Sequence, residues 1–167
     1  MSLIPIVDEN DREIGFKERA EIANSDIYRV SALWLTNSKG EILLAQRALT
    51  KKHSPGKWGP AVAGTIEEDE TYQSNILKEV EEEIGLILSR EEIRLGPKVK
   101  IQGNHVHFCQ WYYAKSDRTI DEFILQDTEV IDVRWISPAE LMRQMEDGPE
   151  MFSGSMKQWL SIVLEHA

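Results

Sequence analysis

Three glutamates in this chain, Glu79, Glu82 and Glu83, are spaced i, i+3 and i+4. At 100° per residue that spacing places all three on one side of a helix. Ile76, Leu77, Val80 and Ile84 fall beside them as an apolar stripe, so one helix would dock on a core and hold three carboxylates along the same flank. Like charges at these spacings cost about 0.2–0.5 kcal/mol per pair, a cost that a bound cation removes. A hard divalent ion such as Mg²⁺ or Mn²⁺, with its preference for oxygen ligands, suits the set. Taken alone, KEVEEE reads more simply as a solvated acidic face. Its surroundings are more ordered than that reading requires. Gly64 is followed after five residues by Glu70, then after seven by Lys78-Glu79-Val80, then Glu82-Glu83 and Gly85-Leu86.

Other side chains offer less. His105 and His107 alternate along a β-prone run and so share a face. As a pair without carboxylates at metal-ligand spacing, they read as structural or substrate-lining. Trp58 and Tyr112 have planar faces that could stack on a base or another planar group, but core or rim packing is the simpler role for each tryptophan. His53, in a basic loop, is a candidate phosphate contact, and Cys109 in an apolar strand reads as core.

The elements that would carry these residues follow from patterning. Residues 3–18 read as two short strands around a polar turn at Asp8–Arg12, and Glu18–Ala23 as a helical turn. Residues 28–48 form two apolar runs joined by Asn37-Ser38-Lys39-Gly40, a hairpin of the main sheet. Residues 49–61 are a loop by their prolines and glycines, with Arg47, Lys51, Lys52 and Lys57 around it. A helix is predicted over 71–84 and stopped by Gly85. A linker over 86–92 and strands over 93–101, 105–116 and 128–136 follow. Ser137-Pro138-Ala139-Glu140 caps a helix over about 138–146. Met156, Trp159, Leu160, Val163 and Leu164 mark a last amphipathic helix, about 153–165. Strands mixed with two or three helices indicate an α/β layered domain.

The chain has 167 residues, 41% hydrophobic and 29% charged, which suits one globular domain over 1–167. A net charge of −10 argues against a nucleic-acid or membrane-surface binder. The lone Cys109 precludes an internal disulfide, and the N-terminal residues show neither a basic start nor an apolar signal core, so a cytoplasmic protein is expected. Whether the C-terminal helix packs internally or joins a second subunit in a homodimer stays open.

The run from Gly64 to Leu86 resembles the Nudix signature, a loop–helix–loop that binds metal and diphosphate. It departs from that signature at Lys78, where the family has arginine. The resemblance implies a helix–sheet–helix sandwich around a mixed β-sheet. It also implies a hydrolase of a diphosphate bond in a small molecule such as a nucleoside di- or triphosphate or a derivative, dependent on Mg²⁺ or Mn²⁺. Glu79, Glu82, Glu83 and the Ala63 carbonyl would hold the ion, and Glu82, or Glu70 in its place, would take a proton from the attacking water. Lys78 would orient a glutamate, without the two-point fork of arginine.

Outside the signature, RALTKKHSPGKW, the opening VDENDREIGFKERAE and EVIDVRWI resemble isopentenyl diphosphate isomerases, which share the fold. Arg47 and Lys51 match their diphosphate contacts. The isomerase chemistry is not matched: its cysteine is Ala63 here, and two metal-binding histidines are Thr65 and Tyr28. An isomerase-like enzyme and a non-catalytic diphosphate-binding module stand as the alternatives to a hydrolase.

Overall fold

The computed structural model describes residues 2–167. Its centre is a seven-stranded mixed sheet laid between helices. Strand β3 (Tyr28–Thr36) is the axis. It runs parallel to β8 (His107–Lys115) along its whole length, from Tyr28↔His107 to Thr36↔Lys115. On its other edge it pairs antiparallel with β6 (Val62–Thr65). Strand β7 (Arg94–Ile101) closes the β8 side, and β4 (Ile42–Arg47), β5 (Trp58–Pro60) and β9 (Val130–Ile136) form the other wing.

Residues 28–48 make a hairpin that opens immediately. β3 and β4 pair only at Thr36↔Ile42. Beyond the Asn37–Gly40 turn, β4 leaves to pair with β9 over Ile42↔Ile136 to Arg47↔Val130, while β6 takes its place beside β3. The predicted loop over 49–61 likewise ends in a short strand, β5, which pairs with β4 through Gln46↔Trp58. The splay is what lets residues after β4 return to β3 carrying Gly64.

Both faces of β3 are buried, which is why its run VSALWL does not alternate in polarity. Leu33 and Leu35 face helix α1 (Tyr72–Ile84) together with Ile76, Val80 and Ile84. Ala32 and Trp34 face the opposite layer. That layer holds α2 (Pro138–Asp147), through Leu141, and α3 (Met156–His166), through Met156, Trp159, Leu160 and Val163. The amphipathic face of α3 therefore packs internally. Trp34, Trp111 and Trp159 interlock edge-to-face and tilted at 4.4–6.2 Å between centroids, and the Tyr113 hydroxyl donates to the Val163 carbonyl at 2.7 Å. Aromatic contacts of this kind add about 0.5–1.5 kcal/mol beyond area burial.

A separate two-stranded hairpin, β1 (Leu3–Val7) and β2 (Glu13–Glu18), packs its inner strand on the domain through Ile4, Ile6 and Val7. Its turn residue Asp11, at φ 62°, is clamped by Arg29 (2.6 Å), the Tyr72 hydroxyl (2.9 Å) and Lys98 (2.5 Å). Its first residue is tied to the loop before α1 by Leu3 N–H to Glu68 Oε1 and Glu68 N–H to the Leu3 carbonyl. No helix among the described residues is long and apolar enough to cross a membrane.

Candidate active site

Gly64 lies inside β6, opposite Ser31 of β3, with α1 stacked directly above. A Cβ there would lie 2.5 Å from Glu79 Cγ, 2.8 Å from Glu79 Cδ and 3.0 Å from Asn75 Oδ1. The missing side chain is the space that Glu79 occupies. Helix α1 begins at Thr71, whose hydroxyl accepts from the Ser74 N–H at 3.0 Å. It ends at Gly85, φ 69°, whose N–H returns to the Glu81 carbonyl.

Asn75, fully buried, fixes the register of helix on strand. Its Oδ1 accepts from Ser31 Oγ at 2.5 Å, and its Nδ2 donates to the Thr65 carbonyl (3.2 Å) and to Glu70 Oε2 (2.8 Å). The other Glu70 oxygen accepts from Lys78 Nζ, and the Glu67 N–H adds a bond at 3.0 Å. Burial opposes ionisation of Glu70, but these donors win and hold its carboxyl below the usual range. Both oxygens are committed. Lys78 thus braces the loop at Glu70 first, and its ammonium is 3.6 Å from Glu79 Oε1 and 3.7 Å from Glu67 Oε2.

The three helix glutamates share a flank but not an environment. Glu83 is 7% exposed. Burial, then the charges of Glu79 and Glu129, push its carboxyl well above the ordinary value, against the pull of Lys51 and Arg47. Glu79 is half-buried and raised by burial and by the charges of Glu82 and Glu70, with Lys78 opposing. Glu82 is exposed. Neither Glu82 nor Glu83 makes a side-chain hydrogen bond or ion pair among the described residues.

Arg47 and Lys51 lie near enough to this group for their charges to act on the Glu83 carboxyl. Lys51 pairs with Glu129, whose backbone carbonyl accepts from the Ala48 N–H at 3.0 Å, so the basic loop is sewn to the start of β9. Arg47 donates Nε–H to the His53 carbonyl at 2.9 Å. Burial lowers its pKa, and Glu83 and Glu129 counter that shift. Sequence reasoning missed two residues here. Glu129 is distant in sequence, and only the β4–β9 pairing brings it to Glu83. Asn75 carries a single sequence signal, a polar side chain one position before the apolar stripe.

Among the described residues, no three His, Cys, Asp or Glu side chains form a closed ligand cluster. The donors nonetheless suit a hard divalent cation. A nearly dehydrated carboxylate next to two others, lacking a hydrogen bond, is an arrangement that removal from water penalises by several kcal/mol and a cation relieves. Glu79, Glu82, Glu83 and the Ala63 carbonyl, immediately before Gly64, would hold it.

The remaining candidates divide. Trp58 and Tyr112, for which stacking is only the alternative to packing, are both core: Trp58 packs in the α3-side core under the Arg134 guanidinium at 4.3 Å, and Tyr112 packs in the α1-side core. Neither has a face free for a ligand. Cys109 is core, with its thiol pushed up by burial. His107 stacks on Tyr28 at 5.2 Å and 26°, and His53 meets His105 at 4.1 Å.

The NUDIX domain family model matches residues 27–159. An uncharacterized Nudix hydrolase of Pseudomonas aeruginosa is 32% identical over 150 residues, covering 88% of this chain and 85% of its own length. An isopentenyl-diphosphate Delta-isomerase of Klebsiella pneumoniae is 27% identical over 171 residues, 96% of this chain and 88% of that protein. A crystal structure from Deinococcus radiodurans superposes with a TM-score of 0.83 at 23% identity, covering 96% of this chain and 98% of that one.

Proposed function

The chain belongs to the Nudix family and is a Nudix pyrophosphohydrolase, and we propose that it cleaves the diphosphate linkage of a nucleoside di- or triphosphate, or of a nucleoside diphosphate derivative, with Mg²⁺ or Mn²⁺ bound. The observation that carries this reading is the Glu83 carboxylate, buried against Glu79 and Glu129 and facing Arg47 and Lys51. Anion-gripping cations on one side and cation-gripping carboxylates on the other are the two halves of a site for a metal-bound diphosphate.

When bound, a divalent ion neutralises diphosphate oxygens and lowers the pKa of a coordinated water. The chain's own residues do the rest. Arg47, anchored through His53, and Lys51, anchored through Glu129, would hold the phosphates by charge-assisted hydrogen bonds. Gly64 and Lys78 position Glu79. Glu82, exposed and unengaged, is free to take a proton from the attacking water, whereas Glu70 has both oxygens occupied and acts as a brace. Nucleotide substrates are cytoplasmic solutes, and the proposal carries a cytoplasmic location with it.

The test is ³¹P NMR of the protein with Mg²⁺ or Mn²⁺ against nucleoside di- and triphosphates, dinucleotides, nucleotide sugars and prenyl diphosphates. Cleavage at the diphosphate is expected, falling about 10²–10⁴-fold in Glu82→Gln. Tight metal-dependent binding with no cleavage of any compound would replace the hydrolase with a binding module. Allylic isomerisation without phosphate release would replace it with an isomerase, in spite of Ala63.

A further inference from the structure

A row of rings begins at the phosphate-facing loop and ends on the central sheet. His53 contacts His105 at 4.1 Å, and the His107 Nδ1 is 2.8 Å from the His105 carbonyl. His107 then stacks on Tyr28 at 5.2 Å and 26°. Tyr28 and His107 are paired residues of the parallel β3–β8 ladder, both half-buried. We infer that Tyr28 and His107, flanked by His105 and His53, form the subsite that receives the planar base of a nucleoside diphosphate.

The row is joined to the diphosphate site through the basic loop. Arg47, which faces Glu83, holds the His53 carbonyl at 2.9 Å. On the sheet, Tyr28 lies two residues from the Val30↔Thr65 pair, about 7 Å along the strand, a distance a ribose spans. Thr65 follows Gly64, and its hydroxyl accepts from Arg19 Nη1 at 3.4 Å.

Among the described residues, the polar tips of the two rings have no hydrogen-bond partner. A carbonyl only accepts, so the His107 Nδ1 bonded to it carries the proton. Burial holds the imidazole below its ordinary pKa, so the ring is neutral near pH 7 and Nε2 is a bare acceptor. Burial keeps the Tyr28 phenol protonated, and it makes no hydrogen bond among the described residues. An acceptor and a donor on one aromatic platform match the edge and face of a heterocyclic base. A prenyl chain offers neither tip a partner. Tyr28 and Thr65 are also the positions at which the isomerase pattern has metal-binding histidines; a phenol and a hydroxyl there give a contact surface in place of a metal site.

This inference rests on the hydrolase reading only for where the diphosphate lies, so its test measures binding. The probes are the α,β-methylene analogues of ADP, CDP and UDP, with methylenediphosphonate as the same diphosphate without a nucleoside, each titrated calorimetrically with Mn²⁺ present. In Tyr28→Ala and His107→Ala the nucleoside analogues are expected to bind about 10-fold or more weakly, with methylenediphosphonate unchanged. Tyr28→Phe keeps the ring and loses only the hydroxyl donor, so it is expected to bind the nucleoside analogues with an affinity between those of the wild type and Tyr28→Ala, which separates stacking from hydrogen bonding; unchanged methylenediphosphonate binding shows that the fold is kept. Equal weakening of all probes, or nucleoside analogues binding no tighter than methylenediphosphonate to the wild type, would overturn the subsite. Base-dependent binding in a protein that cleaves nothing would leave the subsite standing and defeat the hydrolase reading instead.

Discussion

Gly64→Ala tests whether the glycine is there to admit Glu79. The added methyl would sit 2.5 Å from Glu79 Cγ, against an ordinary carbon–carbon contact of about 3.5 Å, so Glu79 must retreat by about 1 Å. Asn75 Oδ1, 3.0 Å away and fixed by Ser31, blocks a sideways escape. The backbone itself tolerates alanine, since Gly64 is not among the residues with positive φ. Loss of glycine's freedom in the unfolded chain then favours the variant by about 0.4–1 kcal/mol, while overpacking costs about 1–3 kcal/mol. The net loss is about 0–2.5 kcal/mol, at most several degrees in Tm. A displacement of about 1 Å at a reacting group costs on the order of 10²-fold in rate. The expected outcome is therefore a folded protein with kcat down about 100-fold, measured by phosphate release alongside a thermal melt. Gly15→Ala, which meets nothing within 4 Å, is the matched control and should change neither. Activity of Gly64→Ala within about threefold of wild type would refute the role given to the glycine, and a collapse in Tm would reassign the effect to folding.

Three further outcomes are expected. Glu83→Gln removes a buried charge beside Glu79 and Glu129, so the metal-free protein should melt higher than wild type while the rise in Tm on adding Mn²⁺ disappears. Glu129→Gln strips Lys51 of its ion partner and should raise KM for the diphosphate more than it lowers kcat, read from initial rates at varied substrate. Asp11→Ala breaks the clamp on Arg29, Tyr72 and Lys98 and should cost about 2–3 kcal/mol in urea unfolding. The Asp11 carboxyl is lowered from 3.8: burial opposes this, and its bonds from Lys98, Arg29 and Tyr72 outweigh burial. Its contribution is therefore complete above pH 3.8 and is lost as pH falls through the still lower folded value, and Asp11→Ala should lack that acid-side loss.

Local signals in the chain identified most elements, and non-local choices remained hidden. The stop at Gly85 and the stripe Ile76, Val80, Ile84 each act within a few residues, and the helix they predict over 71–84 is observed over Tyr72–Ile84, with Thr71 as its cap. The splay of β3 from β4 depends on β9 and β6 being better partners, which no window over 28–48 contains. Strand β5 was read as loop because three residues with a glycine and a proline look like a turn until Gln46 pairs with Trp58. Glu129 was invisible for the same reason. Core packing is the role observed at both Trp58 and Tyr112, because both faces of the central sheet are covered and planarity alone does not mark a ligand face. Tyr112 falls on the α1 side and Trp58 under α3, whereas Tyr28 is at the open start of its strand.

The difference between Glu82 and Glu83 was legible in the helix itself. Seven steps of 100° bring Glu83 to within about 20° of Ile76, the heart of the buried stripe, while Glu82 stands about 120° from it. A carboxylate placed at a core position breaks the patterning rule that the rest of α1 obeys. Such a violation persists where something other than stability requires it. The surrounding chain leaves most of the penalty in place: Glu79 and Glu129 add like charge, and Lys51 and Arg47, which oppose the shift, are themselves engaged by Glu129 and by the His53 carbonyl. Relief is thereby left to what enters the site. Substrate diphosphate would take the free capacity of Arg47 and Lys51, a divalent ion would take the oxygens of Glu83, and each would be held more firmly with the other present. On this reading, the destabilised helix position is the source of coupling between metal and substrate.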